Sequence, residues 1–283
     1  MNVLAFVDRS HYAQSVCDHA AWAATQLGAA VELVHVIERH PDRVDHADRS
    51  GRLGVDTGEH LLRELVTLDE QRNRLARERG RVLLDEAARR VREAGVGEVY
   101  QRLESGELAE QVRDHERHAR LIVIGKGGEG TGGDVTHLGR NLERAIRASH
   151  KPVLIASDTF RPIRRFLIAY DGGKSTGEAI NYLVESPLLN ETEGEVLMVG
   201  RGTDADRTRL NDAVRHLESA GLRVTGTIRE GEPEQAIVDA VERDGIDLLV
   251  MGAYGHSRIR QLMIGSTTTE VMQRCATSML VFH

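Results

Sequence analysis

The residues of this chain best suited to chemistry form a glycine pattern, G-x2-G-x9-G-S, in the second half of the sequence. Its members, with the next hydroxyl, are Gly252, Gly255, Gly265, Ser266 and Thr267. An apolar run precedes the pattern and helical spacing follows it, so it is expected to join a buried strand to a helix N-terminus. Glycines let main-chain amides approach an anion, and the first amides of a helix have no partners within it. The pattern predicts a phosphate site; the alternative is a tight turn followed by a serine helix cap.

Matching apolar runs indicate that the chain is an internal duplication. One pair of runs ends at Asp8 and Asp171, and another pair ends at Gly125 and Gly252. Within each copy, apolar strands alternate with segments of helical spacing, which predicts an α/β fold of two tandem Rossmann-like domains. Ligands of such sheets lie beyond the carboxyl ends of the strands, where both aspartates and both glycine runs are expected.

The predicted domains span residues 1–158 and 163–283, joined by a short linker that contains Pro162. The first domain carries an additional segment at about residues 40–75, which begins as a polar loop and continues as a long or broken helix. Apolar residues recur there at helical spacing: Leu61, Leu65, Leu68, Leu75 and Val82. We expect this stripe to seal the core of the first domain; a partner-binding surface is the alternative.

The glycine pattern of the first copy is degenerate. Gly125 and Gly128 preserve its opening, but ten residues precede Gly139 instead of nine, and Arg140 replaces the serine. A hydroxyl is lost, and a long cation stands where the helix would meet phosphate. We expect Arg140 to be solvated or paired with an acid, so that the first copy is a degenerate nucleotide site; the alternative is that Arg140 itself binds an anion.

The duplicated strands, the aspartates and the glycine pattern together resemble the universal stress protein family, in a tandem two-domain form. The resemblance implies domains of the adenine nucleotide alpha hydrolase type, each with a five-stranded parallel sheet and flanking helices. It also implies ATP or ADP as the ligand, with or without Mg²⁺. Asp171 would lie at the adenine–ribose end, Val199 beside the base, and the glycine pattern around the phosphates. Tyr170 stands where nucleotide-binding members usually have a small branched residue, and its ring is expected to reshape the base pocket.

The resemblance further implies a stress-response regulatory protein that acts through a protein partner, rather than an enzyme. A nucleotide-independent interaction module and a slow ATP hydrolase are the alternatives. The last strands of the two copies, predicted at 152–156 and 278–282, would each leave an unpaired edge, and family members commonly dimerise through this strand. An intramolecular pseudo-dimer is therefore expected, with a homodimer as a further option.

Composition narrows the partners and the compartment. The 283 residues include 37 basic and 44 acidic side chains and only 4% aromatic residues, which offers little for phosphate neutralisation and base stacking, so nucleic acid is not an expected partner. No apolar run is long enough for a membrane span, and no signal peptide is evident. Cys17 and Cys275 suggest no disulfide, which agrees with a cytoplasmic protein. No catalytic residue is predicted, because no Ser–His–Asp or Cys–His arrangement can be recognised. No metal site is predicted either, because the histidines and aspartates of the loop at 40–48 do not fix a metal geometry.

Overall fold

The computed structural model describes residues 1–38, 55–128, 140–254 and 264–283, and only the backbone of residues 55–63, 65 and 140 among them. Predictions about Gly139, Gly255 and the polar loop at 40–48 lie outside the described residues, as do those about the side chain of Arg140. The elements of the first half are β1 (Asn2–Phe6), α1 (Ala13–Leu27), β2 (Ala30–Ile37), α2 (Val55–Glu93), β3 (Val99–Ser105), α3 (Leu108–His115), β4 (Ala119–Gly125), α4 (Arg140–Ala148) and β5 (Val153–Ala156).

The second half repeats this order with a shorter helix in place of α2. Its elements are β6 (Arg165–Ala169), α5 (Lys174–Glu185), β7 (Glu193–Val199), α6 (Asp204–Ser219), β8 (Arg223–Arg229), α7 (Pro233–Asp244), β9 (Leu248–Gly252), α8 (Ser266–Arg274) and β10 (Ser278–Phe282). Short 3-10 turns at Glu116–His118 and Pro187–Leu189 complete the described elements. The α/β class predicted from the alternation of strands and helices is confirmed.

The ten strands form one sheet in the order β3-β2-β1-β4-β5-β10-β9-β6-β7-β8. Every strand pair within a half is parallel. The halves meet at β5 and β10, which are antiparallel, with Leu154 opposite Leu280. Each last strand therefore covers the edge of the other. The two five-stranded sets are parts of one continuous sheet rather than separate sheets.

The direction of the strands decides where ligands can bind. Because β5 and β10 run in opposite directions, the strands of one half have their carboxyl ends on the side of the molecule where the strands of the other half have their amino ends. In the second half, β6 lies between β7 and β9, so the chain turns to either side of β6. A crevice forms at such a switch point, beyond the ends of β6 and β9.

Two apolar layers cover the sheet, and each layer runs through both halves. Side chains of successive strand residues alternate between the faces, so Val3 and Phe166 belong to one layer and Leu4 and Leu167 to the other. Helices α1, α2, α5 and α6 pack on the first layer, and α3, α4, α7 and α8 on the second. The two halves thus share their cores as well as their sheet.

Helix α2 contains 39 residues, which is about 58 Å at 1.5 Å per residue. Its C-terminal part packs on the sheet through Leu84 and Val91, which are at most 2% exposed. Upstream, Leu68 and Leu75 are each 50% exposed and Val82 is 59% exposed. The prediction that the stripe seals the core is wrong for these three residues, because they lie on the helix face opposite Leu84.

Both cysteines are buried free thiols. Cys17 lies in α1, whereas Cys275 caps the C-terminus of α8 and is not itself in the helix. Burial raises the pKa of Cys17 to about 12 and that of Cys275 to about 11, so both are protonated at neutral pH. No helix in the described part of the chain is both long and apolar enough to cross a membrane.

Candidate functional site

A cavity of about 580 Å³ lies beyond the carboxyl ends of β6, β7 and β9. Six of the seven residues predicted for the site line it: Asp171, Val199, Gly252, Gly265, Ser266 and Thr267. The seventh, Gly255, is outside the described residues. Residues far apart in sequence thus meet in one cavity because the parallel strands that carry them end at the same edge of the sheet.

The carboxylate of Asp171 is held by the first turn of α5. Its Oδ1 accepts a hydrogen bond from the amide of Gly173 at 2.7 Å and another from the hydroxyl of Thr176 at 2.7 Å. Gly172, between Asp171 and Gly173, has a φ of +74°, a left-handed conformation that favours glycine. The turn fixes the orientation of a half-buried acceptor group on the wall of the cavity.

Gly252 permits two elements to approach closely. A Cβ at this position would lie 2.3 Å from the hydroxyl oxygen of Ser175 in α5. The Ser175 hydroxyl donates to the carbonyl of Tyr254 at 2.9 Å, and the Thr268 hydroxyl of α8 donates to the carbonyl of Gly252 at 2.9 Å. Gly252 is therefore required for packing of the strand end against α5, whatever the cavity holds.

The N-terminus of α8 faces the same cavity. Gly265 is its cap residue, and the Gly265 amide is bonded to the carbonyl of Ala253 at 2.9 Å. The helix begins at Ser266, so the amides of its first turn have no acceptor within the helix, whereas the amide of Gly265 is already bonded outside it. The Thr267 hydroxyl donates to Oε1 of Glu234 at 2.5 Å. Ser266, the other predicted hydroxyl donor, is exposed.

The carboxylate of Glu234 is an acid that the sequence patterns did not indicate. The hydrogen bond from Thr267, together with a backbone hydrogen bond, lowers the pKa of Glu234 below its ordinary value. It is therefore ionised at neutral pH, one side chain away from the first turn of α8. No motif contains it; its position at the start of α7 follows only from the fold.

An ion pair on the opposite wall was also missed. Arg209 donates from Nη2 to Oδ1 of Asp206 at 2.6 Å, and both line the cavity. Hydrogen bonds from the Thr203 side chain and from Arg209 lower the pKa of Asp206. Tyr170 lies beside them, half-buried, and burial raises its pKa. The ring of Tyr170 thus forms part of the wall at the end expected to hold a base.

Comparisons with known proteins show the family of the chain. The model of the universal stress protein family matches residues 1–157 and 162–283. Universal stress protein Slr1230 of Synechocystis sp. is 34% identical over 285 aligned residues, which cover 100% of this chain and 99% of that protein.

The chain belongs to the universal stress protein family.

Solved structures share its architecture over nearly the whole length. The crystal structure of a universal stress protein from Archaeoglobus fulgidus DSM 4304 matches with a TM-score of 0.71 and 20% identity, covering 99% of this chain and 95% of that one. PA1789 of Pseudomonas aeruginosa PAO1, described as functionally unknown, matches with a TM-score of 0.62 and 15% identity, covering 99% and 92%. At these identities the likeness concerns the fold alone.

The two universal stress protein halves differ at their glycine runs. In the first half, Asp8 is held as Asp171 is, by the amide of Ser10 at 3.0 Å and the Ser10 hydroxyl at 2.5 Å. Lys126 follows Gly125, but its side chain is buried and donates to the carbonyl of Cys275 at 2.5 Å. The first glycine run therefore supplies a cation to the second half of the molecule.

Proposed function

We propose that the second half of this universal stress protein binds ATP or ADP, and that the chain acts as a cytoplasmic stress-response regulator, through a protein partner, rather than as an enzyme. One observation carries the proposal: the Asp171 carboxylate and the N-terminus of α8 face one cavity at the switch point of the sheet. Its volume of about 580 Å³ falls within the range of roughly 300–1,000 Å³ that is usual for small-molecule sites.

The walls of the cavity suit the three parts of a nucleotide. Apolar side chains of β7 and α7 provide a surface for a base: Leu197, Met198, Val199 and Ile237. The Asp171 carboxylate is an acceptor for ribose hydroxyls. The amides of the first turn of α8 and the Ser266 hydroxyl are donors for phosphate oxygens, and the positive end of the helix dipole favours the charge.

The charges around the cavity favour a nucleotide that carries a divalent cation. Among the described residues, Asp171 and Asp206 of the lining and the nearby Glu234 are acidic, whereas the one cation of the lining, Arg209, is paired with Asp206. In the ranges that the structure describes, no group of three His, Cys, Asp or Glu side chains could hold a metal ion. Mg²⁺ would therefore enter with the phosphates and lower their repulsion by Glu234.

The proposal is tested by a charge change that the helix tolerates. Ser266→Glu places an acid at the first position of α8, where the helix dipole stabilises its negative charge but that charge repels phosphate. Ser266→Gln is the neutral control of similar size. We expect calorimetric titration with ADP and Mg²⁺ to show binding to the wild type and to Ser266→Gln, and at least tenfold weaker binding to Ser266→Glu. Equal affinity of the three chains would exclude α8 from the site.

Slow ATP hydrolysis is the second candidate, because the ionised Glu234 lies beside the first turn of α8. An ionised carboxylate near a phosphate site can orient or deprotonate water. If the chain is a regulator and not an enzyme, we expect no release of phosphate from bound ATP over hours. Phosphate release that disappears in Glu234→Gln, with nucleotide affinity preserved, would instead favour the hydrolase.

A further inference from the structure

We propose that the exposed face of α2 pairs with α2 of a second copy of this chain, in antiparallel orientation. The face consists of Leu68, Leu75 and Val82, which are 50%, 50% and 59% exposed. We refer to these three residues as the α2 seam. The proposal does not depend on nucleotide binding, and it concerns an edge of the molecule remote from the β5–β10 join.

The seam has the spacing of one of the two core positions of a two-helix coiled coil. Leu68, Leu75 and Val82 are seven residues apart, so they follow one another along one side of the helix. Arg72 and Arg79 lie between them, each four residues after a leucine, at the second core position of the heptad repeat. Apolar residues at every seventh position stay on one side of the helix over this length, an arrangement that can pack against a second helix.

The seam is separate from the surface that holds α2 on the protein. Leu84 is nine residues beyond Leu75, which places it about half a turn around the helix. Leu84 is 2% exposed and packs in the core, and Gly80 approaches β2 and β3 so closely that a Cβ would lie 2.6 Å from Leu103 and 2.8 Å from His35. The body thus occupies one face of α2, and the seam points away from it.

The charge pattern of α2 selects a second copy and sets its direction. Residues 64–70 contain three acidic side chains and no basic one, whereas residues 72–81 contain five arginines and one glutamate. A parallel pair would set like blocks side by side and would place Arg72 against Arg72 of the partner subunit. An antiparallel pair sets the acidic block of each chain opposite the basic block of the other.

The antiparallel register also places Arg72 and Arg79 beside the apolar residues of the seam. Leu75 then lies level with Arg72 of the partner subunit, and Leu68 with Arg79 of the partner subunit. The aliphatic stems of the arginines cover the leucines while the guanidinium groups reach outward toward the acidic block. One patch used twice closes the pair by a two-fold axis, so the assembly stops at two chains.

The contact between two such helices is short, so the dimer is expected to be weak. The described seam spans 15 residues, or about 22 Å, and three apolar residues on each chain contribute most of the buried area. We expect a dissociation constant on the order of micromolar. Association must therefore be measured over a range of concentrations.

Analytical ultracentrifugation of the full chain, from about 1 μM to about 500 μM, tests the surface. Leu75→Lys should weaken the dimer at least tenfold. Val66→Lys is the matched control: Val66 is 57% exposed on the same helix, half a turn from Leu75, and its variant should dimerise as the wild type does. Circular dichroism confirms that both variants fold. A monomeric wild type, or a dimer equally strong in Leu75→Lys, overturns the proposal.

The orientation is tested by cysteine pairing, for which the buried Cys17 and Cys275 give little background. In the antiparallel pair, an equimolar mixture of Leu68→Cys and Arg79→Cys chains forms a mixed disulfide dimer under mild oxidation. Leu75→Cys alone should remain largely unlinked. Efficient linking of Leu75→Cys with itself would mean a parallel pair and would contradict the register.

Discussion

The ammonium of Lys126 lies 2.5 Å from the carbonyl oxygen of Cys275. Lys126 belongs to the glycine run of the first half, and Cys275 caps the C-terminus of α8 in the second. The opposite end of α8 faces the candidate nucleotide cavity. The helix dipole stabilises both a cation at the C-terminus and an anion at the N-terminus. The first half therefore holds the helix that the second half presents to its ligand.

Replacement of Lys126 by methionine is expected to lower the free energy of unfolding by about 1–2 kcal/mol, because a buried carbonyl loses its donor and α8 loses a C-terminal cation. Burial lowers the pKa of Lys126, so relief of its desolvation offsets part of the loss. Urea denaturation measures the change. Lys174→Met, at a lysine whose side chain is 90% exposed, is the control and should change stability by less than about 0.5 kcal/mol.

Asp171→Asn is expected to weaken ADP binding by about 10- to 100-fold, since a neutral amide replaces a charged acceptor for the ribose. The amide oxygen can still accept from Gly173 and Thr176, so the turn is preserved. Asp8→Asn changes the matching residue of the first half and should leave the affinity unchanged. Calorimetric titration of the three chains decides the matter; weaker binding in Asp8→Asn alone would place the nucleotide in the first half.

The stoichiometry is expected to be one nucleotide per chain. The first copy lacks the serine of the pattern, and its Lys126 is directed to Cys275. Equilibrium dialysis with labelled ADP counts the bound ligand. Arg140→Ser should still bind one equivalent and Ser266→Arg almost none. Two equivalents of similar affinity in the wild type would show that the first half also has a working site.

Acid is expected to destabilise the chain through His19. This buried histidine donates from Nδ1 to the carbonyl of Ser15 at 2.7 Å, and its Nε2 lies 2.7 Å from the hydroxyl oxygen of Ser278 in β10. Burial lowers its pKa from 6.5 to about 4. The unfolded chain therefore binds more protons between these values, and stability falls as the pH falls from 6.5 to 4, by on the order of 3 kcal/mol.

His19→Gln removes this titration, so its stability should depend less steeply on pH over the same interval. Urea denaturation at several pH values gives both slopes. His216→Gln, at an exposed histidine of α6, is the control and should keep the wild-type slope. Parallel curves for the wild type and His19→Gln would show that His19 does not become charged on unfolding in this range.

The sequence predicted the fold and six residues of the cavity lining, because both depend on strand ends. Alternating periodicity placed Asp171 and Gly252 at the ends of strands, and parallel strands bring such ends together. Glu234, Asp206 and Arg209 escaped prediction. They lie within helices and belong to no pattern, and only the packing of α6 and α7 brings them to the site.

The α2 stripe was misjudged for a related reason. Helical spacing showed that Leu68, Leu75 and Val82 share a face, but spacing alone does not say whether that face meets the sheet. The buried face is set by Gly80 and Leu84, which lie half a turn away or nearly so. The interval does not separate the two surfaces either, because Leu84 and Val91 of the buried face are also seven residues apart.

The antiparallel join of β5 and β10 has a consequence for valency. It directs the carboxyl ends of the two sets of strands in opposite directions within one continuous sheet. A globular partner bound beyond the strand ends of one half would not reach those of the other half. Two partners bound at once would therefore point away from each other and be held along one line.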